Sequence, residues 1–94
     1  MMEGLVVLKK TVAYYRSSSK KQEHSVRMQK YYAKAYCRDH YMKLDYEYED
    51  PYVSARIIHM NQRPGLRKLL EAIRNDEIEH LILYKFILRL LENR

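Results

Sequence analysis

The segment from Thr11 to Gln22 reads TVAYYRSSSKKQ, and the rest of the predicted fold is arranged around it. Residues 11–16 are β-branched and aromatic with no glycine or proline, which predicts a buried strand. A serine- and lysine-rich turn follows and precedes a helical pattern. In α/β sheets this kind of turn often holds a phosphate, because a helix start offers unpaired N–H groups to an anion. Ser18 is therefore either a nucleophile or a polar loop residue.

Composition limits the protein to a small basic domain. Its 94 residues allow one core, and a net charge of +6 favours a polyanionic partner without establishing one. The single cysteine, Cys37, excludes an internal disulfide framework and fits a reducing compartment. No apolar run is long enough for a signal sequence or a membrane span. We interpret the protein as cytoplasmic, with residues 1–10 as a leader or an extension of the first strand.

A helix is predicted from Ser25, a plausible N-cap, to about Asp39. One arc of this helix, of about 100 degrees, carries the residues expected to be buried, which are Val26, Gln29, Ala33, Tyr36, Cys37 and His40. A buried glutamine is costly unless it is hydrogen-bonded. We therefore expect Gln29 to reach a backbone group or a partner in the preceding loop.

The middle of the chain alternates between clear and irregular patterns. Leu44 to Glu49 alternates polar and apolar residues, which predicts a second strand toward the sheet edge. Asp50 to Arg63 has no clean period and is expected to be a long connection, either functional or mobile. Pro64 suits the first position of an amphipathic helix that ends at Asn75-Asp76.

The last third predicts one more strand and a helical end. His80 to Tyr84 is a continuous apolar run bounded by charge, as is typical of a central parallel strand. Phe86 to Arg94 has helical composition. The order β-α-β-α-β predicts an α/β fold with a parallel sheet and flanking crossover helices.

Other functional patterns are weak. The four histidines stand singly, so we predict no metal site; they are His24, His40, His59 and His80. No cofactor motif is present, and the only glycines are Gly4 and Gly65, which excludes a glycine-rich phosphate loop. Three tyrosines of the first helix have basic neighbours, so they either stack on nucleic-acid bases or pack half-buried, and we favour packing. These are Tyr31, Tyr32 and Tyr36.

Several short motifs follow one another through most of the chain. They read YYRSS at 14–18, KQ at 21–22, SVRMQ at 25–29, DPYVSA at 50–55 and RPGL at 63–66. In this order and spacing they resemble the catalytic domain of the serine recombinases, which include the resolvases, the invertases and the serine integrases. One departure is Ala55, where the family pattern has glycine.

The resemblance implies a resolvase-like fold and a specific chemistry. Residues 11–94 would be a partial catalytic domain, C-terminally truncated and without the family's DNA-binding domain. A serine would attack a DNA phosphodiester and form a 5′-phosphoserine intermediate, with arginines in place of a metal and no cofactor. On matched positions Ser18 is the nucleophile, and Arg16 and Arg63 clamp the phosphate. Gln22 and Gln29 would position the loop, while Asp50 and Ser54 would close the site.

The resemblance departs from the family pattern at the end of the chain. Arg89 matches one family arginine, but Leu88 stands where the family has aspartate and Glu92 where it has a second arginine. A carboxylate there opposes a phosphate, so we expect strand cleavage to be reduced or absent. The implied partners are DNA and other subunits, either homo-oligomeric or full-length recombinase. Their association would be weakened by loss of the dimerisation helix.

Two other functions remain open. One is a non-catalytic, flavodoxin-like module whose serines at 17–19 cradle a phosphate or nucleotide, although such sites favour a nearby glycine and none is present. The other is a regulator that binds full-length recombinase subunits.

Overall fold

A computed structural model describes residues 9–17, 23–50, 63–84 and 86–90 of the chain. Its described part is an α/β domain with two helices and a four-stranded sheet. In chain order the elements are β1 (Lys10–Arg16), α1 (Glu23–Asp39), β2 (Tyr46–Asp50), α2 (Pro64–Arg74), β3 (Ile78–Leu83) and β4 (Phe86–Arg89).

Strand β1 lies inside the sheet, as its apolar sequence predicts. Residues 11–15 are all buried. The strand pairs in parallel with β2 on one side and with β3 on the other. Both faces of this strand are covered, so neither face requires polar residues. This explains the continuous run of apolar residues. The sheet order is β2-β1-β3-β4, so the predicted edge position of the second strand is confirmed.

The two helices cover opposite faces of the sheet, because successive side chains of β1 point to opposite sides. Helix α1 packs on the face that carries Ala13 and Tyr15. Helix α2 packs on the face that carries Val12 and Tyr14. The buried residues of the two helices are Val26, Ala33 and Cys37 in α1 and Leu69 and Ala72 in α2.

The prediction of a helix from Phe86 to Arg94 is wrong over its described part. Residues 86–89 form β4, which pairs antiparallel with β3, so the sheet is mixed instead of fully parallel. Leu83 lies opposite Phe86, and Tyr84 between them has a φ of 51°. This left-handed residue reverses the chain, and pairing with the open side of β3 outweighs the helical propensity of leucine and arginine.

The expected buried arc of α1 is correct except at its end. His40 is exposed because α1 ends at Asp39 and Tyr41 turns the chain with a φ of 54°. The His40 ring instead stacks on Tyr36 at 4.0 Å between centroids. In the described residues no helix is long and apolar enough to cross a membrane, and no three His, Cys, Asp or Glu side chains group as metal ligands.

Helix α2 starts in close contact with β2. A Cβ atom added to Gly65 would lie 2.6 Å from the backbone oxygen of Glu49 and 3.0 Å from Oδ1 of Asp50. Only glycine therefore lets the helix approach this closely.

We predict that Gly65→Ala lowers the free energy of unfolding by about 1 to 3 kcal/mol, because the new methyl group forces backbone apart. In an unconstrained helix the same change would stabilise by about 0.4 to 1 kcal/mol. Urea unfolding followed by circular dichroism measures the difference, with Glu71→Ala on the exposed side of α2 as the control. A Gly65→Ala variant as stable as the parent would contradict the close approach.

Candidate functional site

The candidate site lies at the edge of the sheet where the parallel strands end. Strand β1 ends at Arg16 and β2 at Asp50, and these two residues are paired in the register. Strand β3 ends at Leu83, opposite Tyr14. Ligand crevices of α/β sheets form at this edge, so the location agrees with the sequence analysis.

Asp50 is a buried carboxylate that accepts hydrogen bonds from two other elements. Its Oδ1 atom accepts from the backbone N–H of Gly65 at 2.7 Å, and its Oδ2 atom accepts from the backbone N–H of Leu66 at 2.8 Å. Arg63, the residue before α2, provides no side-chain cap. Asp50 therefore caps α2 from the neighbouring strand, and its negative charge lies at the positive end of the helix dipole.

Tyr14 connects this carboxylate to Arg63. Its hydroxyl donates to Oδ2 of Asp50 at 2.7 Å and accepts from Nη2 of Arg63 at 3.2 Å. Burial raises the pKa of the Tyr14 phenol, and the hydrogen bond from Arg63 only partly opposes this. The phenol therefore stays protonated and keeps donating to Asp50. The Arg63 side chain is thus held at the carboxyl edge through the Tyr14 hydroxyl, which Asp50 orients.

Gln29 holds the backbone of Arg16. Its Oε1 atom accepts from the Arg16 N–H at 3.3 Å, and its Nε2 atom donates to the Arg16 carbonyl at 3.0 Å. The expectation that Gln29 reaches a backbone group is confirmed.

The strand alternation explains why a glutamine is needed there. Lys10 N–H bonds to Glu77 on the β3 side, whereas Thr11 bonds to Asp45 on the β2 side. Arg16 has the same parity as Lys10, so its backbone groups point toward β3, but β3 has already ended at Leu83. The side-chain amide of Gln29 takes the place of the missing strand.

The structure brings four of the eight predicted site residues to this one edge. They are Arg16, Gln29, Asp50 and Arg63. Ser18, Gln22 and Ser54 lie outside the described residues. The described chain stops on this side at Ser17, which is buried and whose N–H donates to the Asp50 carbonyl at 3.4 Å.

Arg89 is not brought to this edge. It pairs with His80, which in turn pairs with Thr11, five residues before Arg16. At about 3.3 Å per residue this places its backbone about 16 Å back along the strands. The Arg89 side chain is largely exposed, and its Nη2 atom lies 3.9 Å from Oε2 of Glu79.

The role of Tyr14 was not predicted from the sequence, which placed this residue in a buried strand and in the YYRSS motif but gave it no part in the site. The two-residue spacing between Tyr14 and Arg16 could have indicated this role, because residues 14 and 16 share one face of a strand that ends at the site. A cavity of about 330 Å³ also lies at this edge, where a ligand crevice was expected, but its aromatic lining was not predicted. Its lining residues are Tyr14, Arg16, Gln29, Leu83, Tyr84 and Phe86.

Most of the chain matches one known protein family. The family model described as "Resolvase, N terminal domain" matches residues 11–90. The chain belongs to the resolvase N-terminal domain family. This confirms the resemblance, and the mixed sheet with two helices is compatible with a resolvase-like fold. Family membership connects the resolvase domain with site-specific recombination, with DNA and with oligomeric assembly. No curated protein and no solved structure matches the chain.

We predict that Tyr14→Phe lowers the free energy of unfolding of this resolvase domain by about 1 to 3 kcal/mol, because buried Asp50 loses a donor and Arg63 loses an acceptor. Urea unfolding measures the loss. Tyr46→Phe is the matched control, since it removes a hydroxyl from a half-exposed ring of the neighbouring strand. Equal effects of the two changes would argue against the network.

Proposed function

We propose that this protein carries out site-specific DNA recombination by serine recombinase chemistry. In this reaction the Ser18 hydroxyl attacks a DNA phosphodiester and displaces the 3′ oxygen, which leaves as a 3′-hydroxyl. The DNA 5′ end stays bound to the protein as a phosphoserine. The new ester retains the energy needed to rejoin the strand, so the reaction consumes no nucleotide.

The observation that carries the proposal is the joint placement of Arg16 and Arg63 in a domain of the resolvase family. The backbone of Arg16 is fixed by Gln29, and the guanidinium of Arg63 is fixed through Tyr14. A guanidinium that is already held in place, like that of Arg63, stabilises the charge that develops on a phosphate in the transition state without a cost of reorganisation. The N–H groups of Gly65 and Leu66 at the start of α2 are bound to Asp50, so phosphate contacts from this side come from the arginines.

The remaining predicted residues receive supporting roles. Asp50 and Gln29 are positioning residues, because each acts through an arginine or its backbone. Gln22 would position the serine loop, and Ser54 would close the site from the segment after β2. We further propose that cleavage is slow, because Leu88 and Glu92 replace groups of the family pattern and Arg89 lies back from the edge.

Covalent attachment to DNA tests the proposal. The protein is incubated with supercoiled plasmids that carry random inserts, the reaction is stopped with detergent, and protein bound to DNA 5′ ends is isolated. We expect adducts that accumulate slowly and disappear with Ser18→Ala but persist with Ser19→Ala. Attachment that survives Ser18→Ala would exclude this serine as the nucleophile. Binding of a mononucleotide that DNA does not disturb would favour the non-catalytic phosphate-binding module.

The arginine assignments are tested in the same assay. We predict that Arg16→Ala and Arg63→Ala each lower the adduct yield by about 100- to 1,000-fold, the usual effect of losing one transition-state contact. Arg89→Ala is the matched control and should lower the yield less than either. A larger loss with Arg89→Ala than with Arg63→Ala would reverse the assignment.

A further inference from the structure

The cavity beside Arg16 combines two kinds of surface. Arg16 and Gln29 line its polar side, and Leu83, Tyr84 and Phe86 line its apolar side. Its volume of about 330 Å³ gives room for one planar ring system. Pockets of this kind, apolar walls with few polar groups, are typical of small-molecule or ligand-fragment binding.

The aromatic wall of this cavity is exposed. Phe86 is 69% exposed and Tyr84 is 45% exposed, although both are large apolar rings. Tyr32 of α1 extends the wall, with its ring centroid 6.1 Å from that of Tyr84 and the rings tilted by 51°. Exposed aromatic residues grouped at one place usually mark a binding surface.

Arg16 determines which ligand this wall suits. In the proposed function this arginine binds a DNA phosphate. A ring system in the adjoining cavity would then be part of a nucleotide attached to that phosphate. In DNA the ring system next to a phosphate is a nucleobase. Aromatic side chains stack on any base, because every base has a π face. Two of the helix α1 tyrosines, which were expected either to stack on bases or to pack, differ in their surroundings. Tyr32 joins this wall, whereas Tyr36 packs on His40.

We propose that this cavity receives one nucleobase, unstacked from the DNA next to the phosphate at Arg16, and stacks it on Tyr84 and Phe86. The proposal rests on the proposed function, because it takes the phosphate position from it. Unstacking a base costs free energy, which is smallest for a base that is already unpaired. Stacking on the aromatic wall offsets this cost and holds the adjoining phosphate against Arg16. Gln29 is engaged with the Arg16 backbone, so recognition should tolerate all four bases.

Paired DNA probes test the inference. Both are short duplexes with one unpaired nucleotide, and they differ only in whether that nucleotide carries adenine or is abasic. We expect the parent protein to bind the adenine probe about tenfold more tightly by fluorescence anisotropy, a typical effect of one stacked base. The double variant Tyr84→Leu/Phe86→Leu keeps apolar side chains but removes the rings, so it should bind both probes at the abasic level.

Controls separate stacking from folding and from catalysis. Tyr41→Leu removes a tyrosine that is 98% exposed outside the cavity lining and should keep the tenfold preference. Arg16→Ala should weaken binding of both probes.

Urea unfolding of the double variant tests whether it is folded. If it is not, Tyr84→Trp provides the only tryptophan of the chain, and its fluorescence should be quenched by dAMP and unaffected by deoxyribose 5-phosphate.

Other outcomes would overturn the inference. Equal binding of the two probes by the parent protein would do so, as would a preference that survives the double variant. Self-association that depends on Phe86, together with no base preference, would assign this wall to a second copy of the chain. Adduct formation through Ser18 is measured separately, so failure of the stacking site is distinguished from failure of the proposed function.

Discussion

The carboxylate of Asp50 is the group on which the rest of the site depends. It is almost fully buried and accepts three hydrogen bonds, one from Tyr14 and two from the start of α2. A buried charge is tolerated only when it is fully hydrogen-bonded, so these donors hold β2, β1 and α2 in one arrangement. Gly65 is required for the same reason, because any side chain there would push the helix off the strand.

The two arginines of the site are positioned by different means. Arg63 is held through its side chain, by the Tyr14 hydroxyl that Asp50 orients. Arg16 is held through its backbone, by the amide of Gln29 on the other helix. The two helices lie on opposite faces of the sheet, so residues from both faces contribute to this edge. In the proposed function a phosphate at this edge would therefore meet a guanidinium held by its side-chain contact, that of Arg63, and an arginine held by its backbone, Arg16.

Much of the fold follows from local pattern. The apolar run of β1 and the amphipathic stripe of α2 were predicted because burial on two faces or one face leaves a direct mark on the sequence. Strand β4 was not predicted, because leucine and arginine at residues 88–89 favour a helix and the competing influence is a partner strand brought by the fold. Similarly, His40 belongs to the helical arc by its spacing, but α1 ends one residue earlier, at Asp39.

The α/β class, the family and the placement of Gln29 on a buried helix face could be predicted from the residues alone, because each depends on residue order or on a short period. The folded chain adds that Asp50 caps α2, that Tyr14 joins it to Arg63 and that Arg89 lies back from the edge. It also brings Tyr84 and Phe86 next to Arg16. These relations join residues far apart in the chain, and they arise from the packing of strands and helices against one another, which a short-range sequence pattern does not specify.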